Sequence, residues 1–271
     1  MSNKTFRELE HQGWLAKAAV YRDIFGKITE QAIDPILDTF GDLSGRRLLD
    51  VACGTGELTV AAAERGASSE GIDFAATMIE KAMGKYPDLR FSEGDAEQLP
   101  YRDSTFDGVV CAFGLLHLQN PDGAIADARR VLKAGGRYTF TVWCSPDQGG
   151  DFFKLVMGAV QRYGTLDVRL PPAPPIFRFS DFEECHRALS TAGFTAPSVG
   201  IRQLRWRTKD PHDVLDLIYR SVVRIPMILQ AQTDEARERI HRAIVEGAES
   251  YRQDGAIDLR FPAVLATAIA G

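Results

Sequence analysis

The feature that most constrains the fold is a regular alternation of short apolar runs and helical segments that begins at Arg46. The runs are rich in branched apolar residues and read RLLDVA, SEGIDF, LRFSEG, FDGVVCAF and GRYTFTVW. Helices are predicted between them, starting at Glu57, Ala75 and Pro121. Parallel strands need long crossover connections, and helices supply them, so the alternation predicts an α/β fold with a parallel sheet.

The flanking segments are predicted to extend this sheet and to cover it. Helical spacing of apolar residues predicts helices over residues 1–45, and a helical pair from Pro211 to Tyr251 that is interrupted near Pro226. Apolar runs at 199–206 and at the C-terminus read as further strands.

We therefore expect one domain over residues 1–271. Within it, residues 1–45 are an N-terminal helical cover and residues 46–144 are a ligand-binding core. Residues 145–271 are expected to hold the remaining strands, with an inserted helical lid at about 208–256.

Composition excludes several classes of protein. The 271 residues are 45% hydrophobic and 25% charged, as in an average globular protein. The 32 basic and 37 acidic side chains are interspersed and give a net charge of −5, so we expect no nucleic-acid partner. No apolar run reaches the roughly 20 residues of a membrane span, and the start has no apolar signal region. We expect a cytoplasmic protein without a membrane span.

The cysteines and histidines suggest no metal. The four cysteines stand far apart without a CxxC pair, and the five histidines are scattered singly. We expect reduced, buried cysteines and no metal site.

The segment LDVACGTGE, from Leu48 to Glu57, is the most informative motif, because a buried strand runs directly into a glycine turn and a helix. Gly54 and Gly56 would let the backbone approach a ligand, and the start of the helix would offer free N–H groups. Asp50 would repel a pyrophosphate but would suit an ammonium or sulfonium charge. The alternative is an ordinary tight turn.

The next two strands also end in acids. Asp73 follows about 20 residues later, where an acid commonly binds a ribose diol. Phe74 could stack on a base and Met78 could pack against its other side, although residues of this kind are more often core. Asp95 can accept from an exocyclic amine and the Ala96 N–H can donate to a ring nitrogen, a polarity that suits adenine.

Together these strings resemble class I S-adenosylmethionine-dependent methyltransferases, in the branch similar to ubiquinone and menaquinone biosynthesis methyltransferases. The ordered set is LDVACGTG, GIDF with Met78, GDAEQLP, FDGVVCAFGLLHL and ARRVLKAGG. The resemblance implies a Rossmann-like, doubly wound, mostly parallel seven-stranded sheet with helices on both faces and a helical lid. One departure is Ala52, where many members have glycine.

The resemblance also implies roles for individual residues, with S-adenosylmethionine as cofactor, S-adenosylhomocysteine as product and a small-molecule methyl acceptor. Asp50, Ala52, Gly54 and Gly56 would line the methionine half, and Asp73 would bind the ribose hydroxyls. Phe74, Met78, Asp95 and Ala96 would enclose adenine, and Phe113 would sit beside the methionine moiety.

Three further residues are expected at the acceptor. His117 is a candidate base, although a residue of this kind more often shapes the pocket or bonds to the backbone. Trp14 and Tyr21 lie seven residues apart on one helical face and form either a core stripe or a lid that contacts the acceptor.

Two other functions compete with methyl transfer. The chain could bind S-adenosylmethionine in a role without methyl transfer, since a fold does not fix its chemistry. A nicotinamide-dependent oxidoreductase fits less well, because Gly54, Gly56 and Thr59 give GxGxxT with an acid before the turn. We expect a monomer or a homodimer in either case.

Overall fold

The computed structural model describes residues 4–17 and 25–271. They fall into two compact units. The first, which we call the sheet unit, comprises residues 29–143, 173–202 and 263–271. The second, the helical unit, comprises the described parts of residues 1–28 together with 144–172 and 203–262.

Strands and helices are numbered along the chain. The strands are β1 Arg47–Val51, β2 Ser68–Asp73, β3 Arg90–Glu93, β4 Phe106–Ala112, β5 Leu132–Trp143, β6 Phe194–Arg202, β7 Arg205–Thr208, β8 Arg252–Gln253, β9 Ala256–Arg260 and β10 Ala263–Ala270. The helices are α1 Phe6–Lys17, α2 Lys27–Thr29, α3 Ile33–Asp38, α4 Glu57–Glu64, α5 Ala76–Lys85, α6 Pro121–Val131, α7 Asp151–Tyr163, α8 Phe182–Thr191, α9 Asp213–Ser221, α10 Arg224–Gln230 and α11 Asp234–Ala248.

The sheet unit contains a seven-stranded sheet in the order β3-β2-β1-β4-β5-β10-β6. The pairs from β3 to β5 are parallel, and β10 runs antiparallel to both of its neighbours. Crossovers between parallel strands are right-handed, so α4 and α5 lie on one face of the sheet and α6 on the other. The predicted Rossmann-like, mostly parallel seven-stranded sheet is therefore confirmed.

The order of the strands determines where a ligand would bind. From β1 the chain winds outward through β2 to β3, and it then returns to β4 on the other side of β1. The order thus reverses between β1 and β4. Ligands of open parallel sheets bind at the carboxyl ends of the strands beside such a reversal.

The run predicted as one strand over residues 199–206 is in fact two strands of different sheets. β6 pairs with β10 in the seven-stranded sheet, whereas β7 pairs with β9 in a separate three-stranded sheet. The break falls at Leu204, which is buried and whose carbonyl accepts a hydrogen bond from the Phe261 N–H at 2.8 Å. Apolar periodicity alone does not reveal such a change of sheet.

The helical unit holds α1, α7, α9, α10 and α11, and the three-stranded sheet in the order β7-β9-β8. Its core includes Phe152 stacked on Phe261, with ring centroids 4.9 Å apart. The predicted interruption near Pro226 is present: α9 ends at Ser221, and Pro226 lies in the first turn of α10, where a missing N–H costs nothing.

The β8–β9 hairpin was not predicted. Its two-residue turn is Asp254–Gly255, with φ of +49° and +77°. Asp-Gly is a typical sequence for this hairpin turn, so the signal was present in the sequence.

Candidate functional site

Three alternate residues after β1 have a left-handed backbone conformation. Ala52, Gly54 and Gly56 have φ of +57°, +55° and +90°, and Gly56 is the residue before α4. A side chain at Gly56 would collide with the Phe91 ring, since its Cβ would lie 2.7 Å from that ring. Glycine is needed there for both space and conformation. Ala52 adopts a backbone conformation that suits glycine better.

Asp50 lies at the end of β1 and only 1% of its surface is exposed. The Thr59 hydroxyl donates to its Oδ2 at 2.7 Å. Burial raises the pKa of Asp50 to about 7, and the negative charges of Asp73 and Glu57 contribute to the rise. A cation beside Asp50 would therefore relieve an unfavourable concentration of negative charge.

Asp73, at the end of β2, connects two strand exits. Its Oδ2 accepts a hydrogen bond from the Gly54 N–H at 2.9 Å, and its Oδ1 accepts one from the Ala75 N–H at 2.9 Å. Sequence reasoning assigned Asp73 to a ribose only. The structure adds that this carboxylate holds the glycine turn against the start of α5.

The residues predicted around adenine follow β2 and β3. Phe74 is half-buried after β2, and Met78 is buried in α5. After β3, the Asp95 Oδ1 accepts a hydrogen bond from the Glu97 N–H at 2.9 Å, and Ala96 is buried. All four belong to the sheet unit and follow the carboxyl ends of adjacent strands.

Glu57 was not predicted as a site residue. It begins α4, and its carboxylate accepts hydrogen bonds from the Thr55 hydroxyl at 2.6 Å and from Lys85 Nζ at 3.0 Å. The signal in the sequence was an acid in the first turn of a helix, where the helix dipole stabilises a negative charge. Glu57 thus ties the glycine turn to α5.

Phe113 follows β4 with φ of +56°, which is unusual for a bulky residue. The next residue, Gly114, has no room for a side chain, because its Cβ would lie 2.7 Å from both Ala52 Cβ and Cys111 Sγ. The exits of β1 and β4 therefore pass each other closely at the reversal of strand order.

His117 ends the turn that follows and is half-buried. Its backbone N–H donates to the Gly114 carbonyl at 2.9 Å.

Of the two residues expected in a lid, Trp14 and Tyr21, the structure describes only Trp14. Trp14 lies in α1, within the helical unit, and is half-buried. Tyr21 lies outside the described residues. Their role at an acceptor stays a prediction.

Residues 4–17 and 25–271 contain neither a metal-binding cluster of side chains nor a membrane-spanning helix. In this part of the chain, no group of three or more His, Cys, Asp or Glu side chains is arranged to hold a metal ion. No helix among these residues has both the length and the apolar character needed to cross a membrane.

Residues 49–140 match the methyltransferase domain family. The chain is also 36% identical over 114 residues to demethylmenaquinone methyltransferase of Renibacterium salmoninarum, covering 42% of this chain and 48% of that protein. It spans about half the length of the curated relatives it matches. The predicted resemblance to this branch of methyltransferases is therefore confirmed for the segment that carries the motifs.

Solved structures share the fold. The YcgJ protein of Bacillus subtilis is 20% identical with a TM-score of 0.60, and the match covers 88% of this chain and 97% of that one. Phosphoethanolamine N-methyltransferase 2 of Haemonchus contortus, solved with phosphomonomethylethanolamine and S-adenosylhomocysteine, is 18% identical with a TM-score of 0.54. That match covers 88% of this chain and 52% of the Haemonchus protein.

Proposed function

We propose that this chain is an S-adenosylmethionine-dependent methyltransferase that acts on a small-molecule acceptor. The observation that carries the proposal is the pair of buried carboxylates, Asp50 and Asp73, at the left-handed glycine turn beside the reversal of strand order. The turn lies within the segment that matches the methyltransferase domain family. Ligands of open parallel sheets bind at this edge.

The donor and acceptor groups fit this cofactor. A carboxylate only accepts hydrogen bonds, so Asp73 suits the ribose hydroxyls and Asp50 suits the ammonium or sulfonium charge of the methionine half. Phe74 and Met78 offer apolar surface to adenine. Asp50, by contrast, disfavours the pyrophosphate of a nicotinamide dinucleotide, because like charges repel.

The chain's own residues would bind the cofactor, align the acceptor and exclude water. S-adenosylmethionine, when bound, supplies a methyl group on a positively charged sulfur. Transfer in line with the breaking bond depends mainly on alignment, so the acceptor must be held opposite that bond in a site without water. His117 would take a proton from a hydroxyl or an acidic carbon of the acceptor.

The acceptor class follows from related proteins. The curated relatives are named for demethylmenaquinone, and the Haemonchus neighbour is named for phosphoethanolamine. Both are small molecules, and we extend only that class to this chain. The proposal includes a cytoplasmic location, a monomer or homodimer, and no nucleic-acid partner, supported by the interspersed charges.

Calorimetric titration with S-adenosylhomocysteine, and in parallel with NADH, tests the cofactor. We expect S-adenosylhomocysteine to bind and NADH not to bind. The reverse result would replace the proposal with the nicotinamide oxidoreductase.

Transfer of a tritiated methyl group to a panel of naphthoquinols, phenols and amines tests the reaction itself. A labelled product that depends on Asp73 supports the proposal. Tight cofactor binding with no labelled product across the panel would favour a binding role without transfer.

A base role for His117 has its own test. Replacing His117 by Ala should lower turnover about a hundredfold while the affinity for S-adenosylhomocysteine is retained. Near-normal turnover of this variant would make His117 a structural residue.

A further inference from the structure

Two aromatic side chains stack at the ends of neighbouring strands of the sheet unit. Phe113 follows β4, and Trp143 is the last residue of β5. Their ring centroids are 4.2 Å apart and their planes differ by 24°. Both side chains are buried, with 7% and 4% of their surfaces exposed. The sequence motifs gave Trp143 no role.

β5 holds the backbone of Phe113 as well as its ring. The Phe113 N–H donates to the Thr141 carbonyl at 3.0 Å and to Thr141 Oγ1 at 3.2 Å. Thr141 and Trp143 are two residues apart on β5, so both point to the same side of the strand. Contacts with the neighbouring strand β5 thus hold Phe113 in its left-handed conformation.

Such a conformation in a bulky residue is unfavourable by itself and persists only where the surroundings enforce it. Here the surroundings are the stack with Trp143 and the hydrogen bonds that the Phe113 N–H donates to Thr141. The strained residue also lies where the exits of β1 and β4 pass each other, at Gly114 and Ala52. The restraint therefore acts at the reversal of strand order and not in the interior of the sheet.

We propose that Trp143 is a positioning residue for the methyl-donor end of the cofactor site, acting through Phe113. The inference rests on the proposed function, which puts Phe113 beside the methionine moiety. Trp143 itself need not touch the cofactor. Its contribution is to hold the Phe113 ring in one orientation, so that the wall of the site is formed before the cofactor binds.

A second stack on β5 provides a matched control. Tyr138 stacks on Phe194 with centroids 5.4 Å apart and an interplanar angle of 23°. Tyr138 pairs with Val109 in the interior of the sheet, away from the carboxyl edge. Replacing Phe194 by Leu removes a stack of the same kind without touching the exit of β4.

The first test compares the affinity for S-adenosylhomocysteine by calorimetry. Trp143→Leu should weaken binding about threefold to tenfold, the usual contribution of an aromatic pair. Trp143→Phe keeps a ring on Phe113 and should restore most of the affinity. Phe194→Leu should lower the thermal midpoint comparably and leave the affinity unchanged. Equal affinities of Trp143→Leu and the unmodified protein would overturn the proposal, and so would an equal loss in Phe194→Leu.

The second test is a spectroscopic signature. The chain has three tryptophans, so protein labelled with 5-fluorotryptophan should give three ¹⁹F signals, and the Trp143 signal is assigned by its loss in Trp143→Phe. We expect S-adenosylhomocysteine to shift this signal without any movement of the rings, because a ligand beside Phe113 changes the surroundings of the Trp143 ring stacked on it. If calorimetry shows binding while the signal stays in place, Trp143 is not coupled to the site and the proposal fails. If calorimetry shows no binding by the unmodified protein, the proposed function itself fails.

Discussion

Asp73 combines two tasks in one side chain. It bonds to the Gly54 and Ala75 N–H groups, and it is the acid proposed for the ribose. Replacing Asp73 by Ala should weaken binding of S-adenosylhomocysteine by about 1 to 3 kcal/mol, because charged hydrogen bonds are lost. The thermal midpoint should fall as well, since the turn loses its tie to α5. Calorimetry and thermal unfolding measure the two effects separately.

A matched control for Asp73 is Asp181, whose carboxylate also accepts a backbone N–H, that of Glu183, at the start of α8. Asp181→Ala should lower stability by about 1 kcal/mol without a change in affinity. Unchanged affinity in Asp73→Ala would remove Asp73 from the cofactor site.

Asp50 gives the site a dependence on pH. Its pKa is raised to about 7, so the carboxyl is mostly protonated at pH 6 and mostly ionised at pH 8. Only the ionised form attracts the positive charge of S-adenosylmethionine. The affinity should therefore rise between pH 6 and 8. The amino group of the ligand also titrates near 8, at about the usual α-amino value, so Asp50→Asn is the reference. This variant should bind more weakly and lack the rise, as calorimetry at several pH values would show.

The same carboxyl predicts the opposite trend for stability without ligand. Its pKa is higher in the folded chain than in the unfolded chain, so the folded state binds the proton more strongly. The stabilisation is complete below about pH 4, where both states are protonated, and is lost as the pH rises through 7. Asp50→Asn should flatten this part of the thermal midpoint profile. An identical profile in the two proteins would contradict the raised pKa.

At the level of elements, the exits of β1 and β4 approach each other closely at Ala52 and Gly114. Gly114 has an ordinary φ of −87°, so glycine is required there by space and not by backbone conformation. Gly114→Ala should destabilise the fold by about 1 to 3 kcal/mol, as overpacking does. Ala52→Gly in the same protein should recover part of the loss, because it removes the Ala52 Cβ, one of the two atoms that the new side chain would meet. Chemical denaturation of the single and double variants measures this coupling.

Gly84 in α5 is the control for that cycle, since nothing lies within 4 Å of a Cβ built on it. Gly84→Ala should be neutral or stabilising by up to about 1 kcal/mol. No recovery in the double variant would show that Cys111 alone limits the space at Gly114.

The elements of the sheet unit were largely predictable because each carries a local signal. Apolar runs predicted β1 to β5, and Pro121 marked the start of α6, where the Asn120 side chain accepts the Gly123 N–H. The division of the run at residues 199–206 depends on pairing with distant strands, and no local signal carries it. The left-handed conformation of Phe113 is enforced by Thr141 and Trp143, so it too could not be predicted from nearby residues.

At the scale of the molecule, the strand ends that carry acids could be predicted, while the interactions between the acids could not. The motifs put Asp50 and Asp73 at one edge of the sheet, as the sheet order requires. The raised pKa of Asp50 arises from burial and from neighbours on other elements, which a sequence does not display. The division of the chain into two units likewise depends on tertiary packing, and the single-domain expectation stays a prediction.

The division into units predicts that the helical unit can be weakened without weakening cofactor binding. Asp151 is 4% exposed and accepts hydrogen bonds from the Arg260 N–H at 3.0 Å, from Nε at 2.7 Å and from a terminal guanidinium nitrogen at 2.8 Å. Both residues belong to the helical unit, whereas the proposed cofactor residues all belong to the sheet unit. Asp151→Ala should destabilise the protein by about 1 to 3 kcal/mol, because three hydrogen bonds to a buried carboxylate are lost.

The exposed pair of Glu249 and Arg252 in the same unit is the control, and Glu249→Ala should leave the stability almost unchanged, because solvent screens an exposed ion pair. Chemical denaturation gives the stabilities, and calorimetry with S-adenosylhomocysteine at a temperature where each variant is folded gives the affinities. We expect the affinity of Asp151→Ala to equal that of the unmodified protein. A loss of affinity that parallels the loss of stability would mean that the cofactor site depends on the helical unit, and the sheet unit would then not bind the cofactor by itself.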